Sequence, residues 1–426
     1  MHPEDIADDP EFQRYAALVE DFTNGPNIKE VEHLRDLLGQ LLKLQAQEAL
    51  LNWQRLQPWM LSNDERQGNS THLNREATHA MWRRVRAVGN RLTAEFRSEA
   101  LALFGPLGME PSDYEAGLRP DFAPVRQLVL AYPEGVSGEG SDYNGLTQFY
   151  DELLGKVPSE LEVVLLVKSR AVMLRLLPRQ LHPRLRYVVQ SELQTIWLRD
   201  AVGFNCGGKL VKPRYSPLAI GESMLLVPAV LGMDVERLPW WWDGGNLVSD
   251  GRVALIGELM LKHNGVAVGS LEYTQLVWDI RKALGVEIVE WVALPRADKL
   301  GHTDGYVAFV EENRAVVATY PTEWAPDQRC ADELAERLRA HGVEVTRLPE
   351  NPTTKPGASS LDSAVGIYVN FLQLNSTWLV PTYGLDSDEA ALDCLRRLNP
   401  QGQVVPVNCT RLAELGGVLH CISFTN

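Results

Sequence analysis

The sequence predicts an α/β protein preceded by an all-α segment. From about Asp121 onward, short apolar runs of strand length alternate with segments of helical period, the pattern of strand–helix–strand units. Before about residue 110, apolar residues recur at helical spacing and strand patterns are nearly missing. Composition bounds the class: of 426 residues, 45% are hydrophobic and 23% charged, too apolar for a disordered chain.

Taken in order, the first element is a helix over Ile28 to Trp53, with Val31, Leu34, Leu38, Leu41 and Leu42 on one face. Asn27 suits its N-cap, and Pro58 lies beyond its end. A second helix spans Arg75 to Phe104, with Met81, Val85, Val88, Leu92, Phe96 and Leu103 on one stripe. Its opposite face holds Arg83, Arg84, Arg86, Arg91 and Arg97, read as solvated or paired with acids. Residues 1–110 are therefore expected to form a helical hairpin. One hairpin cannot cover both of its own faces, so it should pack on the remaining domain, residues 111–426, or on its counterpart in a homodimer.

The α/β part begins with a strand over Val125 to Ala131, a helix over Leu146 to Leu154 and a strand over Val163 to Val167. A helix over Ala171 to Leu177 and a strand over Arg184 to Val189 follow. The alternation continues through Val253 to Ile256, the helix Ser270 to Leu284, and strands at Val286 to Val289, Val307 to Phe309 and Ala315 to Ala318. It ends with a helix over Cys330 to His341, a strand over Val343 to Leu348 and a helix with an acidic N-terminus reaching Leu398. No sequence repeat is evident, but strand–strand–helix–strand units of about 60 residues would fit roughly five times.

Several function classes are disfavoured. The net charge of −15 opposes binding to phosphate backbones and suits a cationic substrate. No apolar run reaches membrane-spanning length, so no membrane association is expected. The acidic start, Met1-His2-Pro3-Glu4-Asp5, is unlike a secretory signal, and five scattered cysteines suit a reducing cytoplasm. There is no Gly-Lys-Ser/Thr phosphate loop, no GxGxxG, no CxxC and no HExxH, so neither a nucleotide nor a structural zinc has support.

Four short segments set ionisable residues beside glycines, which permit close backbone approach. They are Trp197-Leu198-Arg199-Asp200 at the end of a strand-like stretch, Asp243-Gly244-Gly245-Asn246 after Trp240-Trp241-Trp242, Gly301-His302-Thr303-Asp304-Gly305, and Gly416-Gly417-Val418-Leu419-His420-Cys421. Taken singly, each has an ordinary structural reading: an Asp capping a turn, a surface His/Asp pair, a buried small Cys.

In that order, WxRD, [DE]GGN, GHxDG and a final GGxxHC, the segments resemble the guanidine-modifying pentein enzymes, specifically the agmatine deiminases and bacterial-type peptidylarginine deiminases. Ala364-Val365-Gly366-Ile367-Tyr368-Val369-Asn370-Phe371 is similar to that family's YxNF strand, and Leu379 to Gly384 to the VxP strand after it. Asp121-Phe122-Ala123-Pro124 to Tyr132-Pro133 resembles its opening strand. The resemblance runs from Asp121 to Asn426. It implies a pentein, five ββαβ-type units about a pseudo-fivefold axis with the active site in a central pore, here behind an all-α extension.

The resemblance also implies roles. Asp200 and Asp304 would hold the N–H edges of a planar guanidinium. Cys421 would attack its central carbon as a thiolate, giving a covalent thiouronium. His302 would protonate the departing ammonia and then activate water, with Asp243 orienting it. Trp197, Asn370 and Trp242 would line the substrate, and His420 would be structural. No metal or organic cofactor is needed. The expected reaction is hydrolysis of agmatine or a related alkylguanidine to a ureido product and ammonia. Peptidyl-arginine deimination, amidino transfer and a non-catalytic binding module are the alternatives. The chain differs from the agmatine branch at Ala123-Pro124-Val125, where Glu-Pro-His is usual, at Ala201 for Thr, and at Asp243 for Glu.

Overall fold

The computed structural model describes residues 117–138, 141–293, 301–353 and 363–426. The two long helices expected before residue 110 lie outside the described residues.

The described residues build five sheets of three or four strands and one small two-stranded sheet. Four of the five are built alike. In each, a short first strand pairs antiparallel with a middle strand, and the middle strand pairs parallel with a third. These triplets are Phe204–Cys206, Lys209–Arg214 and Asp234–Trp241; Val248–Ser249, Val253–Gly257 and Ile288–Val292; Val307–Glu311, Arg314–Thr319 and Glu344–Pro349; and Leu372–Leu374, Thr377–Thr382 and Gln403–Asn408. A parallel neighbour requires a crossover. The crossovers are helical, for example Ala325–Ala340 and Ser387–Leu398.

The fifth sheet obeys the same rule with its strands drawn from both ends of the described fold. Ser423–Thr425 pairs antiparallel with Gln127–Ala131, which pairs parallel with Glu162–Val167. Leu185–Val189 extends it on the far side. The middle strands are continuous apolar runs such as Val253–Gly257, buried along their whole length. That is the pattern of strands covered on both faces.

Several expected elements are found close to their predicted bounds. The helix expected at Ser270 to Leu284 is Leu271–Leu284. The one expected from Cys330 begins earlier, at Ala325, where Pro326 suits a first helical turn. Two readings are corrected. The stretch leading to Asp200 ends in a short helix, Leu198–Val202, rather than a strand. Residues 364–371 are irregular, because the N–H groups of Tyr368 and Val369 donate to the Glu350 carboxylate at 2.5 and 2.8 Å instead of to a ladder.

Candidate active site

In each of the five sheets, the segment immediately preceding the short first strand carries a residue singled out in the sequence. Asp200 lies on the helix before Phe204–Cys206. Asp243 caps the 3₁₀ turn Gly244–Asn246 before Val248–Ser249. His302 caps, and Asp304 lies within, the 3₁₀ turn Thr303–Gly305 before Val307–Glu311. Asn370 precedes Leu372–Leu374, and Cys421 precedes Ser423–Thr425. Five equivalent positions of one repeated unit thus supply one site.

The contacts join these positions. His302 Nδ1 lies 3.7 Å from Asp200 Oδ1, and its Nε2 lies 3.5 Å from Asp243 Oδ2. Cys421 Sγ donates to Asn370 Oδ1 at 3.3 Å and lies 3.9 Å from Asp304 Oδ2. Asn370 Nδ2 donates to the Asp304 carbonyl at 3.2 Å. The Cys421 carbonyl accepts from Arg199 N at 3.1 Å, tying the Cys421 backbone to the segment that bears Asp200. Asp304, Asn370, His302 and Cys421 are all buried.

The glycine pairs set how closely these groups approach. Gly245 N–H donates to Asp200 Oδ1 at 3.0 Å. A Cβ on Gly244 would lie 1.8 Å from the Arg199 carbonyl oxygen. One on Gly417 would lie 2.6 Å from the Trp197 ring and 3.2 Å from Cys421 Cβ. Trp197 therefore lies against the segment leading to Cys421. Trp242 lies elsewhere: it packs in an apolar core, its ring 4.5 Å from that of Phe204, and its Nε1 donates to the Asn246 carbonyl. Of its neighbours, Trp241 stacks against the Arg214 guanidinium and Trp240 donates to Asp279.

Sequence reasoning missed a second charged chain behind the first. His420 Nδ1 lies 2.7 Å from Asp304 Oδ2, and its Nε2 lies 3.1 Å from Asp121 Oδ2. Asp121 Oδ1 accepts from Arg199 at 2.8 Å. Asp121 lay in a segment quoted only as an opening strand, and Arg199 was the unassigned third residue of WxRD. Nothing local in either segment signals their meeting with His420.

Electrostatics separate the carboxylates of Asp200 and Asp304. Burial lifts the Asp200 carboxyl to about 7; the charges of Asp243 and Asp304 add to this, while His302 and the Gly245 N–H oppose it. Burial also penalises Asp304, but the hydrogen bond and charge of His420 prevail and hold it below its usual range. Burial works against a charged His302, yet Asp200, Asp243 and Asp304 together raise it to about 10. The Cys421 thiol is pushed well up, first by burial and then by Asp304 and Asp200. All five cysteines are free thiols, and burial raises the other four as well. Carboxylates add to the rise at Cys206 and Cys330 too, but at Cys421 alone they are Asp200 and Asp304, both of which stand beside His302.

A family model described as Porphyromonas-type peptidyl-arginine deiminase matches residues 117–426. Among curated proteins, the agmatine deiminase of Pseudomonas fluorescens is 25% identical over 288 residues, 57% of this chain and 76% of that protein. The agmatine deiminase of Stutzerimonas stutzeri is 27% identical over 206 residues, 42% of this chain and 55% of that protein. This chain thus spans little more than half of the latter's length. Among solved structures, the C. jejuni agmatine deiminase aligns with a TM-score of 0.61 at 20% identity, covering 73% of this chain and 96% of that one. An agmatine deiminase of Enterococcus faecalis aligns with a TM-score of 0.61 at 17% identity, covering 74% and 96%. These two structural likenesses establish a shared mixed α/β fold.

Proposed function

This chain belongs to the Porphyromonas-type peptidyl-arginine deiminase family, and we propose that it hydrolyses a guanidinium group to a ureido group and ammonia with Cys421 as nucleophile. The observation that carries the reading is the convergence of Cys421, Asp200, Asp304 and His302 from the units of three sheets onto one cluster whose thiol is held neutral by burial and by two carboxylates.

A guanidinium between Asp200 and Asp304 would offer both carboxylates an N–H edge and cancel the charge that suppresses the Cys421 thiolate. The thiol then releases its proton to solvent, and Sγ bonds to the central carbon. The His302 imidazolium gives its proton to the leaving NH₂, the C–N bond breaks and ammonia departs, leaving a thiouronium on Sγ. Neutral His302 next takes a proton from water, whose oxygen bonds to the same carbon. The C–S bond breaks, the thiolate returns and the ureido product leaves with its excess proton released to solvent. Asp243 holds His302 through both stages.

The substrate in this reading is a small cationic alkylguanidine of the agmatine kind, an assignment supported by the agmatine deiminases among the relatives. The reading extends to a reducing cytoplasm, supported by the free thiols, and to a homodimer through the apolar stripes before residue 110.

The test is a panel of agmatine, arginine, other alkylguanidines and arginyl peptides, assayed for ammonia and ureido product. Agmatine or a close alkylguanidine should be preferred; preference for arginyl peptides would move the substrate assignment to protein side chains. Cys421→Ala should abolish turnover in a folded protein, and mass spectrometry of a quenched reaction should find the adduct on Cys421. Asp200→Asn and Asp304→Asn should each lose more than about tenfold in kcat/KM, since removing one partner of a desolvated charge pair costs about 2–5 kcal/mol. An adduct on another cysteine, or turnover by Cys421→Ala, would overturn the assignment.

A further inference from the structure

We infer that His420 is a positioning residue: bridged between Asp121 and Asp304, it acts as a fixed cation that keeps Asp304 ionised and turned toward the guanidinium. The inference rests on the reading of Asp304 as a substrate carboxylate. The site would then run on two histidine–carboxylate systems with separate tasks, His302 moving protons and His420 holding one.

A carboxylate lies on each side of the ring. Nδ1 hydrogen-bonds to Asp304 Oδ2 at 2.7 Å, and Nε2, buried without a hydrogen bond of its own, lies 3.1 Å from Asp121 Oδ2. A neutral imidazole has a single N–H, so it would turn a lone pair toward one of these oxygens. Only the imidazolium sets a positive charge against both.

The ring is also held in place. His420 N donates to the Asn370 carbonyl at 3.3 Å, and the His420 carbonyl accepts from Ser423 N and Oγ. The Asp304 oxygen it engages is the one that lies 3.9 Å from Cys421 Sγ. The charges facing His420 are Asp121, Asp304 and Arg199, with Cys421 next in the chain. Arg199 opposes the imidazolium directly, but its guanidinium also pairs with Asp121 and so secures that carboxylate.

Asp200 supplies the contrast within the same cluster. Asp304 is buried and Asp200 largely so, and both stand near His302, but only Asp304 has a second imidazolium hydrogen-bonded to it. Only Asp304 is held below its usual range. Without His420, Asp304 should behave as Asp200 does and titrate near neutral pH. The acid limb of kcat/KM would then require one deprotonation more.

The experiment compares the full-length protein with His420→Gln and Asp121→Asn. In the first arm, the protein carries ¹⁵N-labelled histidine, and the His420 resonance is identified by its absence from His420→Gln. It should have the imidazolium pattern at pH 8, and in Asp121→Asn it should convert to the neutral pattern at lower pH than in the parent. A neutral His420 ring at pH 7 in the parent overturns the inference, and this reading needs no substrate.

The second arm is the pH profile of kcat/KM. The limb of His420→Gln should fall one unit of slope more steeply than that of the parent. The variant's deficit should therefore grow roughly tenfold for each pH unit below the limb. A residue that serves packing alone would lower kcat/KM equally at every pH, and an unchanged slope in folded His420→Gln overturns the inference. If His420→Gln does not fold, the limb of Asp121→Asn decides, since that variant keeps the ring and weakens only its charge: an upward shift supports the inference and an unmoved limb refutes it. Failure of any guanidine to bind or react would defeat the deiminase reading instead, while the resonance of His420 would still decide the charge of the ring.

Discussion

Gly245 has room for no side chain: a Cβ there would lie 2.7 Å from Asp200 Oδ1 and 2.8 Å from His302 Nδ1. Asp200 and His302 are thereby held close together in a buried site, and their protonation bounds the working range. Asp200, raised to about 7, is neutral below that pH and cannot pair with a cation, so activity should fall as pH drops through about 7. His302, raised to about 10, has no proton to give above that pH, so activity should fall again as pH rises through about 10. The kcat/KM profile reports groups of the free enzyme. It should therefore have its maximum on the alkaline side of neutrality, and an initial-rate series from pH 5 to 11 checks this; a maximum at pH 5 to 6 would refute it. Asp243, His302, Asp304 and Cys421 were legible in the sequence because each sits in a short motif with its own glycines, and Asp200 because it closes the WxRD segment. Asp121 and His420 were not. The contact between them joins positions far apart in the chain, and no spacing rule reaches so far.

At the scale of elements, legibility followed strand length. Middle strands such as Gln127–Ala131 and Val253–Gly257 are five residues of nearly unbroken apolar sequence, and they were recognised. The first strands Phe204–Cys206, Val248–Ser249 and Ser423–Thr425 have two or three residues, too few for any alternation to appear. These are the strands whose preceding segments carry the site. What fixes such a segment is then side-chain support, and Glu350 is the clearest case. Its buried carboxylate, with a proton affinity raised well above normal by burial, accepts from Tyr368 N and Val369 N directly before Asn370. Glu350→Ala would leave two N–H groups unpaired in the interior. At about 1–3 kcal/mol for each unsatisfied group, the variant should lose roughly 2–6 kcal/mol of stability in urea unfolding. Its kcat should fall as well, because Asn370 and hence the Cys421 thiol are displaced. Wild-type stability in a well-folded Glu350→Ala would show that the turn holds itself.

Over the whole described fold, the sheet that contains Gln127–Ala131 is complete only when Ser423–Thr425 joins it. Asn426 N donates to the Gln127 carbonyl at 2.9 Å, and the two side chains pair across a separation of 299 residues. Contacts this distant form slowly, since a long loop must close before they repay its entropy. Cys421 stands immediately before that strand. On dilution from urea, tryptophan fluorescence of the apolar cores should recover first, and turnover should return in a later single phase that also restores protection of the amides of residues 127–131. Turnover that rises together with fluorescence would refute this order. A polypeptide halted short of that closure would carry an inert thiol and an incomplete site, so it could neither consume guanidine nor alkylate itself on a reactive analogue. Such an analogue would serve as a census of finished molecules, tagging each one only after its last strand is home.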